Sequence, residues 1–178
     1  MSTNVELKAK AQDFASQRNL AEELSCGKAK FLEQIDVFFN VPEGRLKLRE
    51  LSPDHGELIY YRRPNQREKK VSNYSIVKSD QPKMLASILS DAYGVCGIVR
   101  KRRWLYIVGQ TRIHFDDVDD LGYFIELEVV LNEGQTVDEA ELVAEFFKRK
   151  LGIRDEDLIS SAYLDLINNN GQDAPVKP

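Results

Sequence analysis

The chain lacks most of the features that would take it out of the ordinary globular class. Only two of its 178 residues are cysteine, Cys26 and Cys96. They lie far apart, with neither the paired spacing of a zinc site nor the number a disulfide framework needs. Both are read as inert, partly buried thiols. No apolar run approaches the roughly 20 residues that cross a bilayer as a helix. Cations are not in excess: 25 Lys and Arg face 29 Asp and Glu, a formal net charge of −4. That balance argues against general attraction to nucleic acid or to an anionic membrane. The opening Met-Ser-Thr-Asn-Val-Glu-Leu-Lys has no apolar core of a secretory signal, so the expected compartment is the cytoplasm. Neither an internal repeat nor a change of composition marks a second domain.

The composition that is present, 42% hydrophobic and 30% charged, is that of a soluble domain long enough to bury a core unaided. One domain is expected over residues 1–167. Residues 168–178, polar with a glycine and two prolines, are expected to be a disordered tail.

Local patterning predicts an α+β chain. Val5 to Lys10 alternates strictly, with Val5, Leu7 and Ala9 on one face and Glu6, Lys8 and Lys10 on the other, as a strand requires. Asp13 to Leu24 reads as a helix stopped at Gly27. Phe31 to Phe39 reads as a strand, followed by a turn at Val41-Pro42-Glu43-Gly44 and the alternating Arg45-Leu46-Lys47-Leu48-Arg49, a hairpin with a basic face. Glu57–Arg63 and Ser72–Lys78 form a further strand pair around an exposed loop, Pro64 to Lys70. Asp80-Gln81-Pro82 opens a helix through Tyr93, with an acidic cap ahead of the proline. Ile98–Ile107, Gln110–Phe115 and Tyr123–Leu131 read as a meander with turns at Gly109 and across Asp116–Gly122. Thr136 and Glu139 have the spacing of a capping box for a helix through Lys150, closed by Gly152. Asp155 to Ile167 reads as a last amphipathic helix.

The charged residues of these strands share one face. Glu6 and Lys8, then Arg45, Lys47 and Arg49, then Arg112 and Asp116, then Glu126 and Glu128 all lie opposite the apolar side. Around Lys101 and Arg103 the parity is undecided, because Arg100 and Arg102 are charged as well. An antiparallel sheet with one face in water has this appearance. Two features favour another reading. The basic residues concentrate on a few strands, and Glu126 and Glu128 lie two apart on one strand, where they repel unless a cation intervenes. If the sheet closes with its charged face inward, helices can cover the apolar outside and the lumen becomes a polar tunnel. Its cations suit phosphate oxygens, and its carboxylates suit magnesium or manganese. Repulsion among Lys47, Arg49, Lys101 and Arg103 in such a lumen predicts that Arg103→Gln leaves the ligand-free protein as stable as before, or slightly more so.

Four stretches resemble the CYTH, or triphosphate tunnel, superfamily, and most closely its class IV adenylyl cyclase-like branch. They are Asn4-Val5-Glu6-Leu7-Lys8, Phe38 to Arg49, Thr111-Arg112-Ile113-His114-Phe115-Asp116 and Leu121 to Glu128. The resemblance implies a closed eight-stranded antiparallel barrel with flanking helices. It implies a metal held by Glu6 and Glu128 with Glu126 and Asp116 near them. It implies a triphosphate faced by Lys8, Lys47, Arg49, Arg62, Lys78, Lys101, Arg103 and Arg112, with Arg100 and Arg102 outside. Lys8 is the expected aid to deprotonating a ribose hydroxyl. The implied activity is the conversion of ATP to cyclic AMP and pyrophosphate with Mg2+ or Mn2+. A triphosphatase acting on inorganic, thiamine or nucleoside triphosphate is the alternative, and a non-catalytic triphosphate-binding module is a third. The expected partner is a small-molecule triphosphate, with no nucleic acid or membrane and with the chain a monomer or homodimer.

Two positions depart from the family pattern. Asn4 stands where the first glutamate of the opening motif is usual, which weakens a second metal site. Phe38 stands where related triphosphatases often carry a tyrosine that assists a lysine base. His114 is read as structural, His55 as a turn residue and Trp104 as packing.

Overall fold

The computed structural model describes residues 2–62 and 70–172. Among them are eight strands, β1 (Ser2–Lys10), β2 (Lys30–Phe39), β3 (Arg45–Ser52), β4 (His55–Arg62), β5 (Lys70–Ser79), β6 (Val95–Val108), β7 (Thr111–Val118) and β8 (Gly122–Val130). The strand order is β1-β5-β4-β3-β2-β6-β7-β8, and it closes because β1 pairs antiparallel with both β5 and β8. Closure removes both sheet edges. Among the described residues four α-helices accompany the barrel, α1 (Phe14–Ser25), α2 (Pro82–Tyr93), α3 (Val137–Lys150) and α4 (Tyr163–Gln172).

Strand parity decides what each face meets. Leu7, Ala9, Tyr106, Ile113, Phe115, Ile125 and Leu127 point outward and are buried against Ala21 of α1 and Phe147 and Leu151 at the end of α3. Val5 and Val129 meet Ala140 and Ala144 of α3, small residues that let the helix lie close. Val37, Phe39 and Leu48 are covered by Leu85, Ala86 and Leu89 of α2. The hydrophobic core thus lies between barrel and helices, and the barrel interior is free for polar side chains. The fourth helix differs. Tyr163 and Leu164 pack on Phe38, Val99, Val118 and Phe124, inward-facing residues at one end of the barrel, so α4 closes that end. Gly97 makes the fit possible, since a Cβ there would lie 2.2 Å from Leu164 Cδ1.

Helix ends follow the sequence closely at α3, where Thr136 accepts from the Glu139 amide and the Glu139 carboxylate accepts from the Thr136 amide. Elsewhere they correct it. Asp13 caps α1, and its left-handed C-cap is Cys26, φ 52°, rather than Gly27. Gln81, not Asp80, is the N-cap of α2, and it makes no side-chain cap. Asp116 to Val118 extend β7, and the turn contracts to Asp119–Leu121. The predicted last helix is broken into a single 3-10 turn, Asp155–Asp157, a bridge from Leu158 to Ala9, and α4. Cys26 and Cys96 are both exposed, not partly buried. No helix among the described residues is long and apolar enough to cross a membrane. Arg63, the 64–69 part of the expected loop and the 173–178 part of the expected tail lie outside the described residues.

Candidate functional site

The lumen is a cavity of about 660 Å³ lined by side chains from all eight strands and by Ala162 and Tyr163. Most of its buried charges fall into three groups. In the first, the buried Asp36 of β2 accepts from Lys47 Nζ at 2.9 Å and from Arg49 Nε and Nη2 at 2.8 and 3.0 Å, with Lys101 Nζ 3.7 Å away. Three cations on β3 and β6 share one carboxylate. Burial opposes ionisation of Asp36, yet Arg49, Lys47 and Lys101 hold its pKa well below the ordinary carboxylate range. The surplus falls on the amines. Burial, with Arg49, brings Lys47 down to about 8, and burial, with Arg103, brings Lys101 down to about 7.

The second group centres on Arg103 of β6. Its guanidinium donates to both oxygens of Asp116 at 2.6 Å, and Nη2 also donates to Glu126 at 2.9 Å. Asp116 additionally accepts from the Tyr163 hydroxyl at 2.9 Å. Lys8 Nζ lies 4.0 Å from Glu126 and 4.0 Å from the centre of the Tyr163 ring. Burial raises the Asp116 pKa, but Arg103 and Lys101 outweigh it and bring the value to about 2. The Tyr163 phenol is pushed well above its usual range by burial and by Asp116.

The third group surrounds Glu128. Asn4 Nδ2 donates to Glu128 Oε1, Arg112 reaches Oε2 at 3.3 Å, and His114 Nε2 lies 3.4 Å from the same oxygen. Glu6 is the register partner of Glu128 across β1 and β8. Burial raises the Glu128 pKa, while the His114 hydrogen bond and Arg112 lower it to about 2. Burial and Arg103 keep His114 below its usual pKa.

Among the described residues no three carboxylate, imidazole or thiolate groups form a ready-made metal cluster. A partial shell is present, because the Asn4 carbonyl oxygen is buried without a hydrogen-bond partner beside Glu128, with Glu6 in register. Hard oxygens of this kind, too few to close a shell, suit a divalent cation whose remaining ligands come from a phosphate chain. Asp116 does not fit that role, since Arg103 and Tyr163 occupy both of its oxygens. Glu126 is likewise engaged by Arg103 and Lys8.

Of the residues singled out from the sequence, Glu6, Lys8, Lys47, Arg49, Lys78, Lys101, Arg103, Arg112, Glu126 and Glu128 line the cavity, and Asp116 adjoins it through Arg103. Arg100 and Arg102 face out, and Arg102 pairs with Asp117. Arg62 is a correction. On β4 the odd positions Glu57, Ile59 and Tyr61 point inward, so Arg62 lies outside, 64% exposed and paired with Glu43. His114 and His55 line the cavity, the former buried and the latter exposed. Trp104 is a packing residue against Phe14, Phe31 and Arg18.

Sequence reasoning passed over Asp36 and Tyr163. Asp36 had a usable signal, because an aspartate inside Ile35-Asp36-Val37-Phe38-Phe39 costs too much to bury without cations to meet it. Tyr163 had none, since nothing local indicates which end of the barrel α4 enters.

Comparison with curated protein sequences finds no significant match. Solved structures share the fold. The PH1012 protein of Pyrococcus horikoshii OT3 is 24% identical with a TM-score of 0.79, covering 93% of this chain and 99% of its own. A conserved hypothetical protein of Pyrococcus furiosus is 21% identical with a TM-score of 0.76, over 92% and 99%. The Hippeastrum protein HpAC1, described as having a dominant triphosphatase activity, is 16% identical with a TM-score of 0.67, over 99% of both chains. The family model described as the CYTH domain matches residues 2–163, the span that carries the closed barrel and its charged lumen, and the chain therefore belongs to the CYTH domain family.

Proposed function

We propose that the lumen binds a triphosphate together with Mg2+ or Mn2+ and acts at its phosphoanhydride linkage, converting ATP to cyclic AMP and pyrophosphate. The observation that carries this reading is the convergence of Lys47, Arg49 and Lys101 on the single carboxylate of Asp36. Arg49 spends two donors and Lys47 one on that carboxylate, which leaves further N–H groups to take phosphate oxygens. Arg103 and Arg112 extend the cationic wall, and Lys78 stands on it as an exposed side chain.

Glu6, Glu128 and the Asn4 carbonyl would hold the cation. Bound there, it would neutralise charge on phosphoryl oxygens. The protein's own part is to fix the chain and to disperse charge growing on the leaving pyrophosphate through Arg49, Lys47 and Arg103. As the ribose hydroxyl oxygen bonds to the α-phosphorus and the bond to pyrophosphate breaks, its proton passes to an amine beside the Tyr163 ring. Lys8 and Lys101 flank that ring at 4.0 and 5.4 Å. With its pKa brought to about 7 by burial and Arg103, Lys101 has an unprotonated fraction at neutral pH.

A second reading, hydrolysis of the triphosphate by water, gains from a lumen tyrosine. The hydroxyl missing at Phe38 has a counterpart at Tyr61, whose ring lies 5.8 Å from Lys47 Nζ. Incubation with ATP, thiamine triphosphate and tripolyphosphate in magnesium or manganese, followed by separation of products, tests both readings. Cyclic AMP with pyrophosphate supports the cyclase and orthophosphate supports the hydrolase. Binding without turnover would leave only the non-catalytic triphosphate-binding module.

A further inference from the structure

Two large apolar side chains of α3 stand in water. Leu142 is 72% and Phe146 50% exposed, and residues four apart on a helix share one stripe. Neither lines the lumen. The opposite side of the helix is already engaged, with Ala140 and Ala144 on Val5 and Val129 of the barrel wall and Phe147 packed with Leu151 and Ala21. The remaining exposed residues of α3 are all charged, and the signs are segregated. Asp138 and Glu139 occupy the first turn, and Arg149 and Lys150 the last.

Acids at a helix start and cations at its end complement the macrodipole, which accounts for the charges taken alone. It accounts neither for the apolar pair between them nor for the spacing. Residue 144 is the midpoint of Asp138 and Lys150, of Glu139 and Arg149, and of Leu142 and Phe146. Ala144 itself faces the barrel, so at that level the free side of the helix looks outward. The outer face of α3 is therefore its own complement when turned end for end. Helix α2 provides a contrast. Its Met84 and Ile88, also four apart, are 59% and 56% exposed, but its first turn has no acid and its last turn no base, so nothing there specifies what covers them.

We infer that α3 is the contact of a homodimer, packed antiparallel on α3 of a second copy about a two-fold axis at the level of Ala144. Turning one helix about that axis sets Leu142 of each copy beside Phe146 of the other, and the acidic first turn of each beside the basic last turn of the other. A parallel pairing would oppose like charges at both ends. The stripe from residue 138 to residue 150 is about 18 Å long. One helix pair of that length buries less than the roughly 1,200 Å² of a standard interface, so the dimer is a reversible one. The inference concerns the outer wall over β1 and β8 and is independent of what the lumen binds.

Sedimentation velocity of the full chain from about 5 to 500 µM tests it, a span that covers micromolar association. The parent should pass from monomer to dimer across this range. Because each substitution acts twice in a two-fold contact, Leu142→Ser and Phe146→Ser should each weaken the dimer about tenfold or more. Both sites are exposed, and unchanged melting temperatures would separate this loss from unfolding. Asp138→Lys alone, or Lys150→Glu alone, should weaken it about fivefold by opposing like charges at both ends. The two changes in one chain restore opposite signs across the axis, so Asp138→Lys with Lys150→Glu should return to within about twofold of the parent. A parent that stays monomeric throughout would overturn the inference. So would a dimer indifferent to the apolar substitutions, or one that the paired charge reversal fails to rescue. A monomer that instead binds anionic phospholipid vesicles through Leu142 and Phe146 would also overturn it, assigning the stripe to a membrane surface.

Discussion

Arg103 illustrates how a single residue's neighbours reverse an expectation drawn from charge alone. Counted as one of four cations in a confined lumen, it should be dispensable without ligand. In place, it holds both oxygens of Asp116 and one of Glu126, and its removal takes the guanidinium from two largely buried carboxylates. Arg103→Gln is therefore expected to destabilise the ligand-free protein by about 3–5 kcal/mol, as breaking a buried ion pair does. A urea midpoint equal to that of the parent would refute the network. The lysines of the Asp36 group give a pH-dependent counterpart. Lys101 falls from the ordinary lysine value of 10.5 to about 7, so between those values the unfolded chain holds a proton that the folded chain does not. Stability of the ligand-free protein from this residue should rise with pH across that window. Denaturation curves at pH 7 and pH 9.5 should show the parent gaining on Lys101→Met, whereas parallel behaviour would contradict the depressed amine.

At the scale of elements, α4 is the piece whose placement matters most. It shuts one end of the barrel through Tyr163 and Leu164, and its Asp165 accepts from Arg45 of β3 at 2.7 and 2.9 Å. The space for Leu164 exists because residue 97 has no side chain. Gly97→Ala should cost about 1–3 kcal/mol through overpacking and should loosen α4, seen as faster amide exchange across residues 163–169. Unchanged exchange there would mean that the seat of α4 does not depend on Gly97. The capping box of α3 is a milder case, and Thr136→Ala should cost about 1 kcal/mol. A thermal scan with no downward shift would show that packing of Ala140 and Ala144 on β1 and β8 carries α3 without its cap.

For the whole molecule, an antiparallel barrel with an ionic interior folds around charge it has only partly balanced, as the receptor proposed above requires. A polyanion that binds only the folded barrel should raise its melting point, with about 2.7 kcal/mol available at a hundredfold excess over the dissociation constant. For a chain of this size that corresponds to roughly 5–10 °C. Glu128→Gln should retain the magnesium-independent part of this shift and lose the magnesium-dependent part, because an amide is a poorer ligand for a hard cation. A flat melting response of the parent to ATP, thiamine triphosphate and tripolyphosphate would remove the receptor reading.

The amino-acid sequence alone determined most of the elements and the faces of the cleanly alternating strands. Period-two alternation in β1, β3 and β8 and the capping box of α3 are local properties of a pleat and a helix end, so they needed no knowledge of neighbours. Once the sheet closes, the same alternation sends Glu6, Lys8, Lys47, Arg49, Glu126 and Glu128 to one interior, and the family motifs extended this to Lys101 and Arg103. Tertiary structure decided which charges answer one another. Asp36 gathers cations from β3 and β6, Asn4 meets Glu128 across 124 residues, and Arg62 falls outside because β4 places its odd positions inward. It also decided that one end is plugged by Tyr163 while the other opens to solvent past Ile107. Those choices depend on strand register and on where a distant helix docks, which are set by contacts between segments far apart in the chain, so that even the aspartate inside the apolar run of β2 signals a need for cations without saying which ones meet it.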